Sequence, residues 1–151
     1  FDPPKVAVVI DKATYTRELI EASGEFALQL PCRDQADLTT TVGNTSGREL
    51  AQAGRDKFTA LGLGTFEARC IGAPLLGGCV AWLECRRLPE PHSEAAYDTF
   101  FGEVVSAQAD PRVFADGRWQ FRDDNAALHT LHHLGGGLFA LPAATVQARR
   151  P

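Results

Sequence analysis

The strand-like segments of this sequence do not alternate with helices in the strand–helix–strand order that builds a parallel sheet. Residues 5–10 form a β-branched apolar run, and residues 25–30 and 78–86 alternate polar with apolar side chains. Such runs are typical of strands buried on one or both faces. Parallel neighbours would each need a long crossover, and the sequence has no glycine-rich dinucleotide or phosphate loop. We therefore predict a mainly β fold of antiparallel strands, closed or partly closed into a barrel so that few edges stay exposed.

Short helices and further strands are predicted around these segments. Helices are expected at residues 17–23, 35–42 and 56–61, with Thr16 and Asp34 as N-caps and Gly24, Gly43 and Gly62 at their ends. Strands are expected at residues 65–72 and 97–108, and a strand–turn–strand at residues 110–119. Residues 44–47 are predicted to form a turn and residues 88–92 a hairpin loop.

The length and composition of the chain limit the classes of function that it can have. The 151 residues, 44% of them hydrophobic, predict one domain spanning residues 1–151. A net charge of −4 and the absence of any long basic run argue against a nucleic-acid partner. No apolar stretch approaches the roughly 20 residues of a membrane helix, and no signal peptide is recognisable, so we expect a soluble cytoplasmic protein without a membrane partner. Because the chain opens without Met on Asp2 and two prolines, we expect further N-terminal residues in the full protein.

The four cysteines are predicted to be reduced and to serve packing. They are Cys32, Cys70, Cys79 and Cys85, and no two have the CxxC spacing of zinc ribbons or redox motifs. Cys79 and Cys85 are six positions apart, which on a regular strand puts both side chains on one face. We therefore expect these two thiols in the core, where cysteine behaves as a small hydrophobe.

Two polar segments are candidates for binding an anion such as phosphate. The first has Lys12, Thr14 and Thr16 between a strand and a helix start, where free N–H groups favour negative charge. The second has Ser46, Gly47 and Arg48, followed by Lys57 and Phe58. An ordinary helix cap and a solvated loop explain the same residues equally well, so the residues alone leave both interpretations open.

Three histidines lie close together near the C-terminal end, at His129, His132 and His133. On a helix, His129 and His133 would lie one turn apart, as metal-binding pairs do. No third ligand has a matching spacing, so no metal is predicted, and histidines near a helix end are also favoured by the helix dipole. No hydrolase motif occurs.

Several short segments, taken in order, carry a resemblance. They are residues 2–10, Thr16 and Ile20, residues 23–26, Ser46 and Gly47, residues 56–58, 83–85 and 97–105, Asp116 and Gly117, and residues 132–136. This ordered set resembles the flavin reductase-like family, also called the split-barrel FMN-binding family, and within it the flavoredoxin group. The segments extend over nearly the whole chain, and their order makes the resemblance specific.

The resemblance implies a six-stranded antiparallel Greek-key split barrel with a few short inserted helices, non-covalent FMN and a homodimer. It also implies an N-terminal strand and loop before Phe1 that contact the flavin. Carried over to this sequence, the cofactor-binding candidates are Lys12, Thr14, Thr16, Ser46, Gly47, Arg48, Lys57 and Phe58. With the phosphate placed there, Lys57 is expected to control FMN affinity and to leave the stability of the flavin-free protein unchanged.

The resemblance also implies an activity. The protein is expected to be an oxidoreductase, either an NAD(P)H-dependent flavin reductase or a flavoredoxin-like electron-transfer protein, with NAD(P)H as a transient electron donor. The expected partner that receives the electrons is a redox protein or a monooxygenase. The alternative is a non-catalytic flavin-binding or flavin-free split barrel that acts through protein contacts.

Overall fold

The computed structural model describes residues 2–149, so the outermost positions of the predicted domain, Phe1, Arg150 and Pro151, lie outside the described residues. In chain order the strands are β1 (Lys5–Val9), β2 (Glu25–Leu30), β3 (Thr65–Phe66), β4 (Leu75–Leu76), β5 (Ala81–Leu88), β6 (Thr99–Ala109), β7 (Phe114–Ala115), β8 (Arg118–Trp119), β9 (His132–Gly135) and β10 (Leu138–Ala140). The α-helices are α1 (Tyr15–Ser23), α2 (Ala36–Asn44), α3 (Gly47–Gln52), α4 (Lys57–Ala60) and α5 (Pro91–Tyr97). Two 3-10 helices cover Arg33–Gln35 and Asp123–Leu128.

The four longest strands form one antiparallel sheet in the order β1-β6-β5-β2. The remaining strands pair as three antiparallel ribbons, β3–β4, β7–β8 and β9–β10. The prediction of a mainly β antiparallel split barrel with short inserted helices is thereby confirmed, since no helix connects two parallel neighbours in the described residues.

Two clusters of side chains form the core. The first packs Ile20 of α1 against Phe26, Cys85 and Phe100 of the main sheet. Gly102 on β6 is part of this packing, because a Cβ atom there would lie 2.5 Å from Cζ of Phe26. The second cluster lies beyond the end of the sheet and contains Cys32, Val80 and Val113.

The register of β5 shifts between Glu84 and Cys85, which makes both residues buried neighbours. The Glu84 carboxylate accepts hydrogen bonds from the backbone N–H groups of Arg69 (3.1 Å) and Cys70 (2.6 Å). The prediction that Cys79 and Cys85 share one strand face is wrong, because Cys79 precedes β5 and the bulge breaks the alternation between them. All four thiols are free; Cys70 is exposed and the other three are buried.

Several predicted element ends are displaced. Helix α1 begins earlier than predicted, and Thr14, not Thr16, is its N-cap, since the Thr14 hydroxyl accepts from the N–H of Arg17. Helix α2 continues through Gly43 to Asn44. Gly43 does not end the helix, because it lacks the positive φ that a glycine has at a helix C-terminus.

Other segments change type. Residues 44–47 are not an isolated turn, because Ser46 caps a new helix, α3, by accepting from the N–H of Glu49 (3.3 Å). The predicted hairpin loop at residues 88–92 leads into α5, which begins at Pro91 in the first turn, where proline is well tolerated. Of the strand predicted at residues 65–72, only Thr65–Phe66 pairs with another strand. The backbone N–H groups of Arg69 and Cys70 bond to the Glu84 carboxylate and not to a neighbouring strand. In residues 2–149 no helix is long and apolar enough to cross a membrane.

Candidate functional site

Three adjoining cavities of 440, 240 and 710 Å³ lie along helix α2. The first and second share lining residues Gln29, Val42 and Leu76, and the second and third share Thr39 and Gly43. We call this surface the α2 groove, its 440 Å³ end the cationic end and its 710 Å³ end the His133 cavity.

The cationic end combines an apolar wall with two basic residues. Its apolar lining includes Leu19, Val42, Leu63 and Leu76, with aromatic rings from Tyr15 and Phe58. Thr16, Gly47, Arg55, Asp56 and Lys57 also line it. The structure thus brings together Thr16, Gly47, Lys57 and Phe58 from the predicted set. Gly47 lies against the Tyr15 ring, where a Cβ atom would be 3.3 Å from Cδ1.

The ammonium group of Lys57 is engaged by the protein. Its Nζ donates to the carbonyl oxygens of Val42 (2.7 Å) and Thr45 (2.7 Å) at the end of α2. Burial lowers the pKa of this group from its ordinary value, because desolvation disfavours the charged form. Two of its three donors are used, so the first role of Lys57 is to fasten the end of α2 and with it the wall of the groove.

Arg55 was not predicted from the sequence, yet it is the more available cation. Its side chain lines the cationic end and makes no hydrogen bond or ion pair with any of residues 2–149. Arg48, which was predicted, lies outside the lining: it donates to the carbonyl of Ala13 (3.2 Å), pairs with Glu18 and lies over the ring of Tyr15. The sequence did contain a signal for Arg55. It directly precedes Asp56, the N-cap of α4, and the start of that helix faces the groove.

The other predicted residues lie apart from the groove lining. Lys12 donates to the carbonyl of Ala95 (2.6 Å), 3.6 Å from the carboxylate of Asp98, so it connects the β1–α1 loop to α5. Thr14 is used as the α1 cap, and its hydroxyl donates to the carbonyl of Asp11 (2.8 Å). Ser46 is used as the α3 cap. These three side chains order the loops around the groove.

The His133 cavity lies between α2 and the β9–β10 ribbon. Its lining residues are Thr39, Thr40, Gly43, Asn44, His133, Gly136, Gly137 and Phe139. The rings of His133 and Phe139 are paired across the ribbon with centroids 5.1 Å apart. The lining contains no Lys, Arg, Asp or Glu, which distinguishes this end from the cationic end.

The segment that contains His129 and His133 is not one helix, so the two side chains do not lie one turn apart. His129 follows a 3-10 helix and is buried, whereas His132 and His133 lie on strand β9. The His129 ring is held by carbonyl oxygens, with Nδ1 3.1 Å from Pro142 and Nε2 3.0 Å from Arg122. No group of three or more His, Cys, Asp or Glu side chains within residues 2–149 could hold a metal ion.

Comparison with known proteins identifies the family. The family model described as "Flavin reductase like domain" matches residues 1–130. The chain belongs to this flavin reductase-like family. The uncharacterized protein YddH from Escherichia coli strain K12 is 48% identical over 149 residues, which are 98% of this chain and 75% of YddH.

Solved structures agree with the flavin reductase-like assignment. The FMN-binding domain of a flavin reductases-like enzyme from Shewanella baltica OS155 is 40% identical with a TM-score of 0.90, over 99% of this chain and 76% of that one. An FMN-binding protein from Thermus thermophilus with bound 1-cyclohex-2-enone is 28% identical with a TM-score of 0.77, over 98% and 75%. The flavoredoxin of Desulfovibrio vulgaris (Miyazaki F), 22% identical with a TM-score of 0.78 over 97% and 74%, shows the shared fold.

Proposed function

We propose that this protein binds FMN in the α2 groove and acts as an oxidoreductase that takes electrons from NAD(P)H, either as a flavin reductase or as a flavoredoxin-like electron carrier. The observation that supports this most is the likeness to the FMN-binding domain from Shewanella baltica, at 40% identity and a TM-score of 0.90 across 99% of the chain. Flavin enzymes need binding, orientation and electrostatics from the protein more than an acid–base triad, which agrees with the composition of the groove.

The residues at the cationic end fit a mononucleotide. The guanidinium of Arg55 has five donors and no partner among the described residues, and Thr16 lines the same end of the groove. A planar, doubly donating group of this kind suits phosphate. The aromatic and aliphatic wall formed by Tyr15, Phe58 and Leu76 suits an apolar ring face. FMN, which has a single phosphate and no adenosine, is the cofactor that this short cationic end favours.

Each residue then has a stated task. Arg55 and Thr16 bind the phosphate, Tyr15 and Phe58 exclude water from the ring, and Lys57 holds the end of α2 in place. When bound, the flavin supplies the redox chemistry by accepting a hydride and releasing electrons to an acceptor. We propose a redox partner protein or a monooxygenase as that acceptor, and the cytoplasm as the location, where the four free thiols stay reduced.

We further propose a homodimer, with the β9–β10 ribbon and the segment after it as the contact surface. Apolar side chains along this stretch are exposed in the single chain; they are Leu134, Leu138, Leu141 and Val146. Contiguous exposed apolar surface marks interaction sites, and these four side chains belong to one stretch of the chain. Sedimentation equilibrium at micromolar concentration tests the assembly, and a monomer with FMN bound would contradict it.

The cofactor proposal is tested by titrating the purified chain with FMN and with riboflavin, which lacks the phosphate. Arg55→Gln should weaken FMN about tenfold or more, because a charge-assisted contact contributes about 1.5–3 kcal/mol, and should leave riboflavin affinity unchanged. Arg118→Gln, at an exposed position of β8 away from the groove, is the matched control and should leave both affinities unchanged. If Arg55→Gln weakens FMN and riboflavin binding equally, Arg55 does not bind the phosphate.

The activity proposal is tested by following NADH and NADPH oxidation with FMN present. Oxidation that saturates with FMN supports a reductase, and reduction of an added acceptor protein by the loaded flavoprotein supports an electron carrier. A colourless protein that neither binds FMN nor oxidises either nucleotide would instead support a flavin-free split barrel that acts through protein contacts.

A further inference from the structure

The ring of His129 is surrounded by hydrogen-bond acceptors. The residue is buried, with 8% of its surface exposed. Its Nδ1 lies 3.1 Å from the carbonyl oxygen of Pro142. Its Nε2 lies 3.0 Å from the carbonyl oxygen of Arg122 and 3.2 Å from Oδ1 of Asn125. Both ring nitrogens are therefore within hydrogen-bond distance of an oxygen, and a carbonyl oxygen can only accept.

The orientation of the Asn125 amide is fixed by the backbone around it. Its Nδ2 donates to the carbonyl oxygens of Arg112 (2.9 Å) and Gln120 (2.8 Å), and its Oδ1 accepts from the N–H of Arg122 (2.8 Å). Exchanging the nitrogen and the oxygen of this amide would break all three bonds. The Asn125 atom beside Nε2 of His129 is therefore the oxygen, which again can only accept.

This set of acceptors matches a ring that carries two protons. A neutral imidazole has one N–H and one bare nitrogen. The bare nitrogen of His129 would face an oxygen at hydrogen-bond distance with no proton between them, and two lone pairs at that distance repel. Burial opposes the charge of an imidazolium, whereas hydrogen bonds donated by the charged form favour it. Both nitrogens are satisfied only in the doubly protonated, positively charged ring.

No acidic side chain forms an ion pair with the His129 ring among residues 2–149. The two arginines on the adjoining segments are paired elsewhere, Arg122 with Asp124 and Arg112 with Asp110. The remaining titratable side chains on those segments are Cys32, Arg33, Asp34 and Asp123, and none of them hydrogen-bonds to the ring. The charge of the ring therefore depends on the three oxygens that face it.

The bond to Pro142 fastens the segment that follows β10. Residues 141–149 form no helix or strand, and within residues 2–149 no other hydrogen bond joins them to the rest of the chain. Nε2 has two acceptors and Nδ1 has one, so a ring with a single proton keeps it on Nε2. We propose that His129 is a pH-sensitive latch: the doubly protonated ring holds residues 141–149 against the 3-10 helix Asp123–Leu128, and transfer of the Nδ1 proton to water releases them.

The direction of the pH effect follows from the charged form that the folded segment favours. An ordinary histidine is charged below about pH 6.5. The latch therefore contributes fully below that pH and is lost as the pH rises above it. The released residues include Leu141 and Val146, which belong to the proposed homodimer surface. Release should weaken the homodimer, and this consequence rests on the proposed function, whereas the latch itself does not.

The test uses the 15N-labelled full chain. Long-range 1H–15N spectra report whether each ring nitrogen carries a proton, and {1H}–15N NOE values of residues 143–149 report whether the segment is held. At pH 6 both His129 nitrogens should be protonated and the segment ordered. Between pH 6 and pH 9 the loss of one ring proton and the fall of the NOE should occur together. The detached fraction should rise about tenfold or more, as expected for the loss of one charge-assisted hydrogen bond.

A variant without ring donors sharpens the test. His129→Phe keeps an aromatic ring beside Phe121 but cannot donate, so the segment should be released at every pH. His92→Phe, at an exposed position of α5, is the matched control and should leave the pH-dependent release unchanged. The spectra of the parent chain decide the protonation state even if His129→Phe does not fold. A bare ring nitrogen at pH 6 with the segment held, or an NOE that stays constant from pH 6 to pH 9, would overturn the latch.

Sedimentation equilibrium at pH 6 and pH 9 tests the consequence for assembly. The parent chain should associate more weakly at pH 9, and His129→Phe should show no such difference. Equal association of the parent at both pH values would overturn the regulation of the dimer. A parent chain that is monomeric at both values would refute the proposed homodimer, while the NMR measurements still decide whether the latch exists.

Discussion

The ammonium nitrogen of Lys57 lies 2.7 Å from the carbonyl oxygen of Val42, one of the last carbonyls of α2. With the Thr45 carbonyl at 2.7 Å as well, this lysine ends the helix that forms the groove wall. We expect Lys57→Met to lower the stability of the flavin-free protein by about 1–3 kcal/mol, because bonds to charged donors are stronger than neutral ones. The measured change should be a fall in Tm of roughly 2–4 °C per kcal/mol.

This expectation differs from the one drawn from the sequence, in which Lys57 affected FMN alone. Lys5→Met is the control, since Lys5 is exposed on β1 and makes no side-chain hydrogen bond within residues 2–149. If Lys57→Met weakens FMN while the flavin-free Tm matches that of Lys5→Met, the helix-fastening role is refuted.

The two threonines at the start of α1 should behave differently. Thr14→Ala removes the cap that accepts from the Arg17 N–H and should cost about 1 kcal/mol of stability. Thr16→Ala leaves the cap intact and should leave the Tm of the flavin-free protein nearly unchanged. Urea denaturation of both variants measures these changes. A larger loss of stability for Thr16→Ala would show that Thr16, not Thr14, caps the helix.

Replacing Gly102 and Gly43 by alanine should change the stability in opposite directions. Gly102→Ala would place a Cβ atom 2.5 Å from the Phe26 ring in the core and should cost about 1–3 kcal/mol through overpacking. Gly43→Ala meets nothing within 4 Å on helix α2 and should stabilise by about 0.5–1 kcal/mol, since alanine favours helix. Chemical denaturation measures both, and the same sign for both changes would contradict the tight packing at Gly102 or the open surface at Gly43.

Thiol reactivity should single out Cys70. Burial raises the pKa of Cys79 and of Cys85 to about 11, so neither forms much thiolate near neutral pH. Iodoacetamide at pH 8, followed by peptide mass spectrometry, should label the exposed Cys70 well before the other three. Cys70→Ser should abolish the fast phase, and fast labelling of Cys79 in that variant would show that its surroundings open readily.

The carboxylate of Glu94 should contribute to acid sensitivity. Arg87 donates to both of its oxygens, and this pairing holds the pKa of Glu94 below its ordinary value of 4.5. A group with a depressed folded pKa stabilises the fold above its unfolded pKa, and that stability is lost as the pH falls from about 4.5 through the folded value.

Glu94→Gln should therefore cost on the order of 3 kcal/mol at pH 7, because Arg87 keeps its charge without a counter-ion. The variant should also lose less stability than the parent between pH 5 and pH 3. Glu67→Gln, at an exposed position without a side-chain partner among residues 2–149, is the matched control. Parallel pH–stability curves for the parent and Glu94→Gln would contradict the assignment.

The amino-acid sequence alone determined the fold class and the position of most long elements. The β-branched and alternating runs predicted β1, β2, β5 and β6 because side-chain burial repeats every two residues within a strand and needs no knowledge of the partner. The family resemblance was likewise readable, since it depends on the order of local motifs. Free thiols were expected from spacing and confirmed by the structure.

The tertiary structure decided which polar side chains remain available for a ligand. Lys12, Arg48 and Lys57 are equivalent cations in the sequence, yet each is engaged by a partner 12 or more positions away. Arg55, one loop residue before a cap, has no such partner in the described chain and faces the groove. Likewise His129 is buried and His133 lines a cavity, although both lie in one short polar segment. Local pattern cannot distinguish such residues, because a long-range hydrogen bond depends on which segments the fold brings into contact.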